Sequence, residues 1–264
     1  MRIDLTGRTA LVTGSTAGIG HAIAVGLAGA GAAVVVNGRT EERVREAVDA
    51  ISRTASSEVR GAAFDVGTAE GCQGLIESEP DVDILVNSAG VFGPQPVFEI
   101  PDAEWMRFFE VNVMSGVRLS RHHVPRMVDR GWGRTIFISS ESALHIPAEM
   151  VHYGMTKTAQ LAVSRGMAES IPGTGVTINS VLPGPTHSEG VEGFLAEMSD
   201  EDEPDAIDQA GREFIARERP TSLIRRLATP EEVANLVVYV ASEQASATTG
   251  SALRVDGGVV RAIP

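Results

Sequence analysis

The 264-residue chain is 43% hydrophobic, 22% charged and only 5% aromatic, with a formal charge of −13. That suits one large α/β domain with a buried parallel sheet. The negative field opposes nucleic acid and anionic membrane surfaces, so no nucleic-acid or membrane partner is expected. Cys72 is the only cysteine, which rules out an intrachain disulfide and is read as a small buried residue. With no membrane-length apolar stretch and no leader pattern, a cytoplasmic location is expected.

In chain order, strand patterns fall at residues 9–13, 33–37, 59–64, 84–87, 135–139, 177–181 and 252–255. Helical patterns lie between them at 19–30, 41–54, 103–129, 156–171 and 230–241. Alternating strand–helix units predict a single Rossmann-like, doubly wound parallel sheet of about seven strands with helices on both faces. Residues 188–226 break this rhythm. They carry no strand signal, and between Glu189 and Asp208 lie nine acids and no Lys or Arg. A connection this long, leaving the carboxyl edge of the sheet, is read as a substrate lid within one domain spanning 1–264.

The first strand runs into Thr13-Gly14-Ser15-Thr16-Ala17-Gly18-Ile19-Gly20 and then a helix. Glycines allow a tight turn close to a pyrophosphate, and a helix N-terminus offers free N–H groups and a positive dipole. Ser15 and Thr16 add hydroxyl donors. The spacing differs from the general G-x-G-x-x-G fingerprint.

Tyr153 and Lys157 are four residues apart and share a helix face. A phenol of pKa near ~10 is a poor catalyst at neutral pH until an ammonium stabilises its phenolate. Lys157 is the only lysine, so a compact ammonium is required where the chain otherwise uses arginine. Ser139 and Ser140 close the fifth strand pattern and point to opposite faces.

The turn, together with Asp65-Val66, Asn87-Ser88-Ala89-Gly90, Asn112, Ser140, Tyr153-Gly-Met-Thr-Lys157, Pro183-Gly184 and Val255-Asp-Gly-Gly258, resembles the short-chain dehydrogenase/reductase family, in particular its 3-oxoacyl-carrier-protein reductase-like members. The resemblance runs from about Leu5 to Gly258, and departs from the family pattern at Ser88, where a second Asn is usual. It implies a nicotinamide-dependent interconversion of a carbonyl and a secondary alcohol. In that scheme Ser140 holds the substrate oxygen, Tyr153 transfers the proton, Lys157 binds the nicotinamide ribose and Asn112 holds a relay water. Gly14, Ser15, Thr16, Gly18, Ile19 and Gly20 would cradle the phosphates. Asp65 and Val66 would hold the adenine, and Asn87, Ala89 and Gly90 the adenosine ribose side. Pro183, Gly184, Thr186 and Ser188 would meet the nicotinamide.

After strand two, Gly38 stands at the family's acid position and Arg39 follows, which favours NADP(H) over NAD(H). Two other readings of the same scaffold are a non-catalytic dinucleotide-binding regulator and an epimerase or lyase. The family also implies a homo-oligomer, tetramer or dimer, pairing through the helices that contain Asn112 and Tyr153. The substrate is not legible. The acidic segment opposes a highly anionic one unless Arg212, Arg217, Arg219, Arg225 or Arg226 faces inward. His145, Met150, His152 and Phe92 are candidate borders of the substrate site. The histidines show no metal-ligand spacing, and no metal is expected.

Overall fold

The computed structural model describes residues 2–187 and 206–263. Ser188 and most of the acidic 189–208 run lie outside the described residues.

Seven parallel strands form one sheet: β1 (Thr9–Val12), β2 (Ala33–Gly38), β3 (Val59–Ala63), β4 (Ile84–Asn87), β5 (Gly133–Ile138), β6 (Val176–Pro183) and β7 (Ala252–Val255), in the order β3-β2-β1-β4-β5-β6-β7. The helices are α1 (Gly18–Gly29), α2 (Glu41–Ser52), α3 (Ala69–Ser78), α4 (Asp102–Phe109), α5 (Ser115–Asp129), α6 (Val151–Glu169), α7 (Ala206–Glu218) and α8 (Pro230–Val240).

Strand alternation divides the core into two layers. Ala10, Val12, Val34, Val36, Ile84 and Val86 face α1, α2 and α8. Leu11, Val35 and Leu85 face the opposite way, toward α3 and α5. Both layers are apolar, which is why the strands read as continuous Val/Ile/Leu runs. Threonines start three helices: Thr40, Thr68 and Thr229 each accept a backbone N–H of the first turn, and Thr229 forms a capping box with Glu232. The sheet reverses winding between β1 and β4, so a crevice opens at the carboxyl ends of these two strands.

Three departures from the sequence reading matter for the site. The 103–129 pattern is not one helix. A π-helical turn at Glu110–Met114 divides it, and Asn112 sits in that turn. Helix α6 begins at Val151, five residues before the periodic pattern, and so includes Tyr153. Within residues 188–226 the chain forms α7, and it then ties down against the C-terminal strand region through Thr221 Oγ1 on the Val259 carbonyl (2.6 Å) and Leu223 N on the Gly257 carbonyl (2.8 Å). Among the described residues no helix is long and apolar enough to cross a membrane.

Candidate functional site

β1 ends in a turn built on backbone contact. Gly14 has φ +62°, and a Cβ there would lie 2.9 Å from Ala89 Cα, so only glycine lets the turn close against the 88–90 segment. Thr13 Oγ1 accepts the N–H groups of Ser88 and Ala89, each at 3.0 Å. Unlike α2, α3 and α8, α1 has no side-chain cap and no acid in its first turn. Its free N–H groups therefore open on the crevice, the arrangement an anionic phosphate fits.

Ser15 differs from the sequence expectation. It is fully buried, and its hydroxyl donates to the Val12 carbonyl (2.7 Å) while accepting Asn37 N–H (3.0 Å). It braces the turn from inside and offers no donor to a ligand. Asn37, not singled out by the sequence, is the hub behind it: Nδ2 donates to the carbonyls of Ala62 (3.0 Å) and Phe64 (3.1 Å).

At Gly38 a Cβ would fall 2.5 Å from Thr16 Cγ2 and 3.1 Å from Val44 Cγ2, so any larger residue there would require Thr16 to shift. Arg39 is exposed beside it. Asp65 is exposed too, its carboxylate accepting Gly67 N–H (2.9 Å), and Val66 is buried. Asn87 donates to Ser120 Oγ (3.2 Å), and its own carbonyl oxygen is buried without a partner.

A cleft of about 490 Å³ runs from this turn across the sheet edge. Gly14, Gly18, Ile19, Gly20, Gly90, Ser140, Tyr153, Lys157, Pro183, Gly184 and Thr186 all line it, as do Phe92 and Met150. His145 is exposed, and His152 is buried against Phe108 and Trp105, so neither histidine borders the cleft.

Around Gly90 polar side chains close in: a Cβ there would sit 3.3 Å from Asn112 Oδ1 and 3.6 Å from Lys157 Nζ. Asn112 clamps Val91, accepting its N–H (2.7 Å) and donating to its carbonyl (2.9 Å), and Gln160 Nε2 donates to the Asn112 carbonyl (2.6 Å). Lys157 Nζ donates to the Ile138 carbonyl (2.9 Å) and lies 5.5 Å from the Tyr153 ring centre. Burial pulls the Lys157 ammonium down to about 8. Burial also raises the Tyr153 phenol, and the Glu141 carboxylate raises it further. A hydrogen bond with Ser140 and the charge of Arg219 act in the opposite direction. Ser139 turns away from this set and donates to the Lys157 backbone carbonyl (2.9 Å).

The opposite wall was not read from the sequence. Ser140 Oγ donates to Glu141 Oε2, and Ser142 N–H donates to the same oxygen (2.9 Å). Arg219, just beyond α7, donates to Glu141 Oε1 (3.0 Å) and to Glu149 Oε1 (3.4 Å). Glu141 and Arg219 are each almost wholly buried. Among the five arginines considered as inward-facing, Arg219 and Arg217 line the cleft. The only signals for this wall are an acid directly after Ser140 and a run of arginines in an aperiodic segment.

The profile of the family described as enoyl-(acyl carrier protein) reductase matches residues 14–260. An uncharacterised oxidoreductase of Bacillus subtilis (strain 168), YvaG, is 50% identical over 264 residues, covering all of both chains. The 3-oxoacyl-[acyl-carrier-protein] reductase FabG of Rickettsia felis is 30% identical over 98% of this chain and 99% of its own. Among solved structures, the L-sorbose reductase of Gluconobacter frateurii, complexed with NADPH and L-sorbose, has a TM-score of 0.93 at 32% identity, with both chains fully covered. A 3-oxoacyl (acyl-carrier-protein) reductase of Agrobacterium tumefaciens C58 with NADP bound has a TM-score of 0.86 at 31% identity, over 97% of this chain and 95% of that one.

Proposed function

The chain belongs to the short-chain dehydrogenase/reductase family of oxidoreductases, and from that premise we propose that it interconverts a carbonyl and a secondary alcohol with Tyr153 as acid–base catalyst. The observation that carries this reading is the convergence of Ser140, Tyr153 and Lys157 on one cleft that starts at the uncapped glycine turn of α1.

The cleft suits a dinucleotide: backbone donors of the glycine turn line one part of it, and Gly90, Pro183, Gly184 and Thr186 another. Bound there, a nicotinamide cofactor supplies the hydride donor or acceptor. The protein's own work is orientation and proton handling. Tyr153 gives its proton to the carbonyl oxygen in reduction and takes it back in oxidation. Ser140 holds that oxygen. Lys157 contacts the nicotinamide ribose and offers positive charge to the phenolate. The Asn112 backbone carbonyl, which accepts from Gln160 Nε2, holds a relay water toward Lys157 in this reading.

NADP(H) is the cofactor of this reading. Its support is glycine rather than an acid at position 38 and an exposed Arg39 next to it, suited to a 2′-phosphate. Reduction is the favoured direction with that cofactor. The substrate is a small, polyhydroxylated carbonyl compound. Glu141, Glu149, Glu218, Arg217 and Arg219 bring charged groups to a lining that also holds Phe92, Met150 and Phe214, and the likeness to the reductase solved with L-sorbose supports a polyhydroxylated substrate. Residues 188–226 serve as lid, their described part contributing Phe214, Arg217, Glu218 and Arg219 to the cleft. A homodimer or homotetramer in the cytoplasm completes the reading.

Titration with NADPH and NADH, followed by nicotinamide fluorescence, should show NADPH at least about tenfold tighter, equal to about 1.4 kcal/mol. Tyr153→Phe should retain that binding and lose turnover of a ketose panel by about 10²-fold or more. Substantial turnover in this variant overturns the assignment.

A further inference from the structure

Glu141 and Arg219 are 78 residues apart in sequence and meet in the interior. The carboxylate is shared between the two: Oε1 takes the Arg219 Nε proton (3.0 Å), while Oε2 takes the Ser140 hydroxyl proton and the Ser142 N–H (2.9 Å). Both side chains are 4–5% exposed. A buried, half-neutralised carboxylate next to a reacting hydroxyl is costly, and removing its partner is costlier still. Plain structural duty is better served by an apolar pair, so the retention of charge here requires a reason. The geometry supplies one. The Ser140 hydroxyl, which must hold the substrate oxygen, is committed to Glu141, and the strength of that hydrogen bond depends on how much of the carboxylate's charge Arg219 absorbs.

We propose that Glu141 and Arg219 are a pair of positioning residues that sets the working pH of the site: Arg219 balances Glu141, and the balance fixes both the orientation of Ser140 and the protonation of Tyr153. This rests on the reading of Tyr153 as the acid–base group. Among the described residues, the other charged groups lining the same cleft are Lys157 on the helix of Tyr153, Glu149 from the turn before α6, and Arg217 and Glu218 at the end of α7. His152 adjoins in sequence and is turned away onto Phe108 and Trp105. Glu149 is half-exposed and also reaches Arg219, so its influence runs through the same guanidinium. Glu141 raises the phenol and Arg219 lowers it, the directions that the geometry requires.

The test compares pH profiles of kcat and kcat/KM for alcohol oxidation in wild type, Glu141→Gln, Arg219→Gln and the double variant. Removing the carboxylate should move the acid limb to lower pH, and removing the guanidinium should move it to higher pH, each by about one unit. The double variant, which restores a neutral hydrogen-bonded pair, should return the limb to within about 0.3 units of wild type. Limbs that stay in place, or that move the same way in both single variants, overturn the proposal. Arg219→Gln leaves a buried acid unbalanced and is the variant most prone to misfold; Glu141→Gln and the double variant then decide by themselves. A wild type without turnover would remove the functional reading and leave the pair testable. The chain has only two tyrosines, so ultraviolet phenolate titration, with Tyr153→Phe subtracting Tyr239, reports Tyr153 directly. A Tyr153 titration in Glu141→Gln unchanged from wild type overturns the proposal, and a titration displaced to lower pH supports it.

Discussion

The two halves of the sheet bury different kinds of polar group. From residue 2 to β4, the buried polar side chains are Thr13, Ser15, Asn37 and Asn87, all neutral, plus Glu79 paired with Arg60. From α5 onward they include His123, Arg134, Glu141, His152, Lys157, Arg219 and Asp256. The first half makes its share of the cleft from backbone and uncharged side chains, which do not titrate. The second half adds ionisable groups held out of water, Glu141, Lys157 and Arg219 among them, which carry a desolvation cost. A constant cofactor can be met by fixed dipoles. Proton transfer demands groups whose charge is poised to change.

The comparison predicts where pH acts. His123 is buried with neither ring nitrogen partnered, and burial first, then the neighbouring His122, pulls it down to about 3. Its native value lies below that of the unfolded chain, so the stabilising difference is complete above about pH 6.5 and shrinks as pH falls toward 3. The loss should reach about 5 kcal/mol, read by urea unfolding at successive pH values. His123→Phe should flatten the curve; equal acid sensitivity in that variant would place the titrating group elsewhere.

Lys157 gives a slope of the same sign at higher pH. Its ammonium is held at about 8, below the usual 10.5. The native state therefore resists the proton that the unfolded chain keeps, and stability rises between pH 8 and 10.5. Lys157→Met should lose turnover while unfolding at higher temperature at pH 7. The expected gain is about 2 kcal/mol, from ~3 of relieved desolvation less ~1 for the Ile138 carbonyl left without a donor.

In the neutral half, Asn37→Leu strips the carbonyls of Ala62 and Phe64 and should cost about 2 kcal/mol, equally at pH 5 and pH 9, with weaker NADPH binding as the Gly14 turn loosens. The smallest effect is expected at the half-exposed edge of the charged wall. Glu149→Gln should change KM for a polyhydroxylated substrate by about threefold and leave NADPH affinity untouched.

Legibility in the sequence follows the same division. The strands at Ile84–Asn87 and Ala252–Val255 have the bounds that their apolar runs predict, and the glycine turn lies where backbone chemistry demands it. The π turn was not visible, because one extra residue in the register leaves an apolar face continuous over 103–129. Helix α3, with Gly71 and Gly74 inside it, lacks the composition of a helix and is held by its Thr68 cap and by Cys72 and Leu75 in the core. Ser15 looked like a ligand donor because sequence gives a residue's place in a turn and not the direction of its side chain. Arg219 could be placed among five candidate arginines and no further. Its role depends on a partner 78 positions away, and pairings at that range leave no local periodicity.

Lys157 is the only side-chain amine in the chain, at the floor of the cleft. Isotopic labelling of lysine nitrogen would thus yield a single side-chain resonance, a spectroscopic probe of cofactor occupancy that needs no engineered tag. Amine-directed cross-linkers, for the same reason, would find no lysine on the outer surface to join.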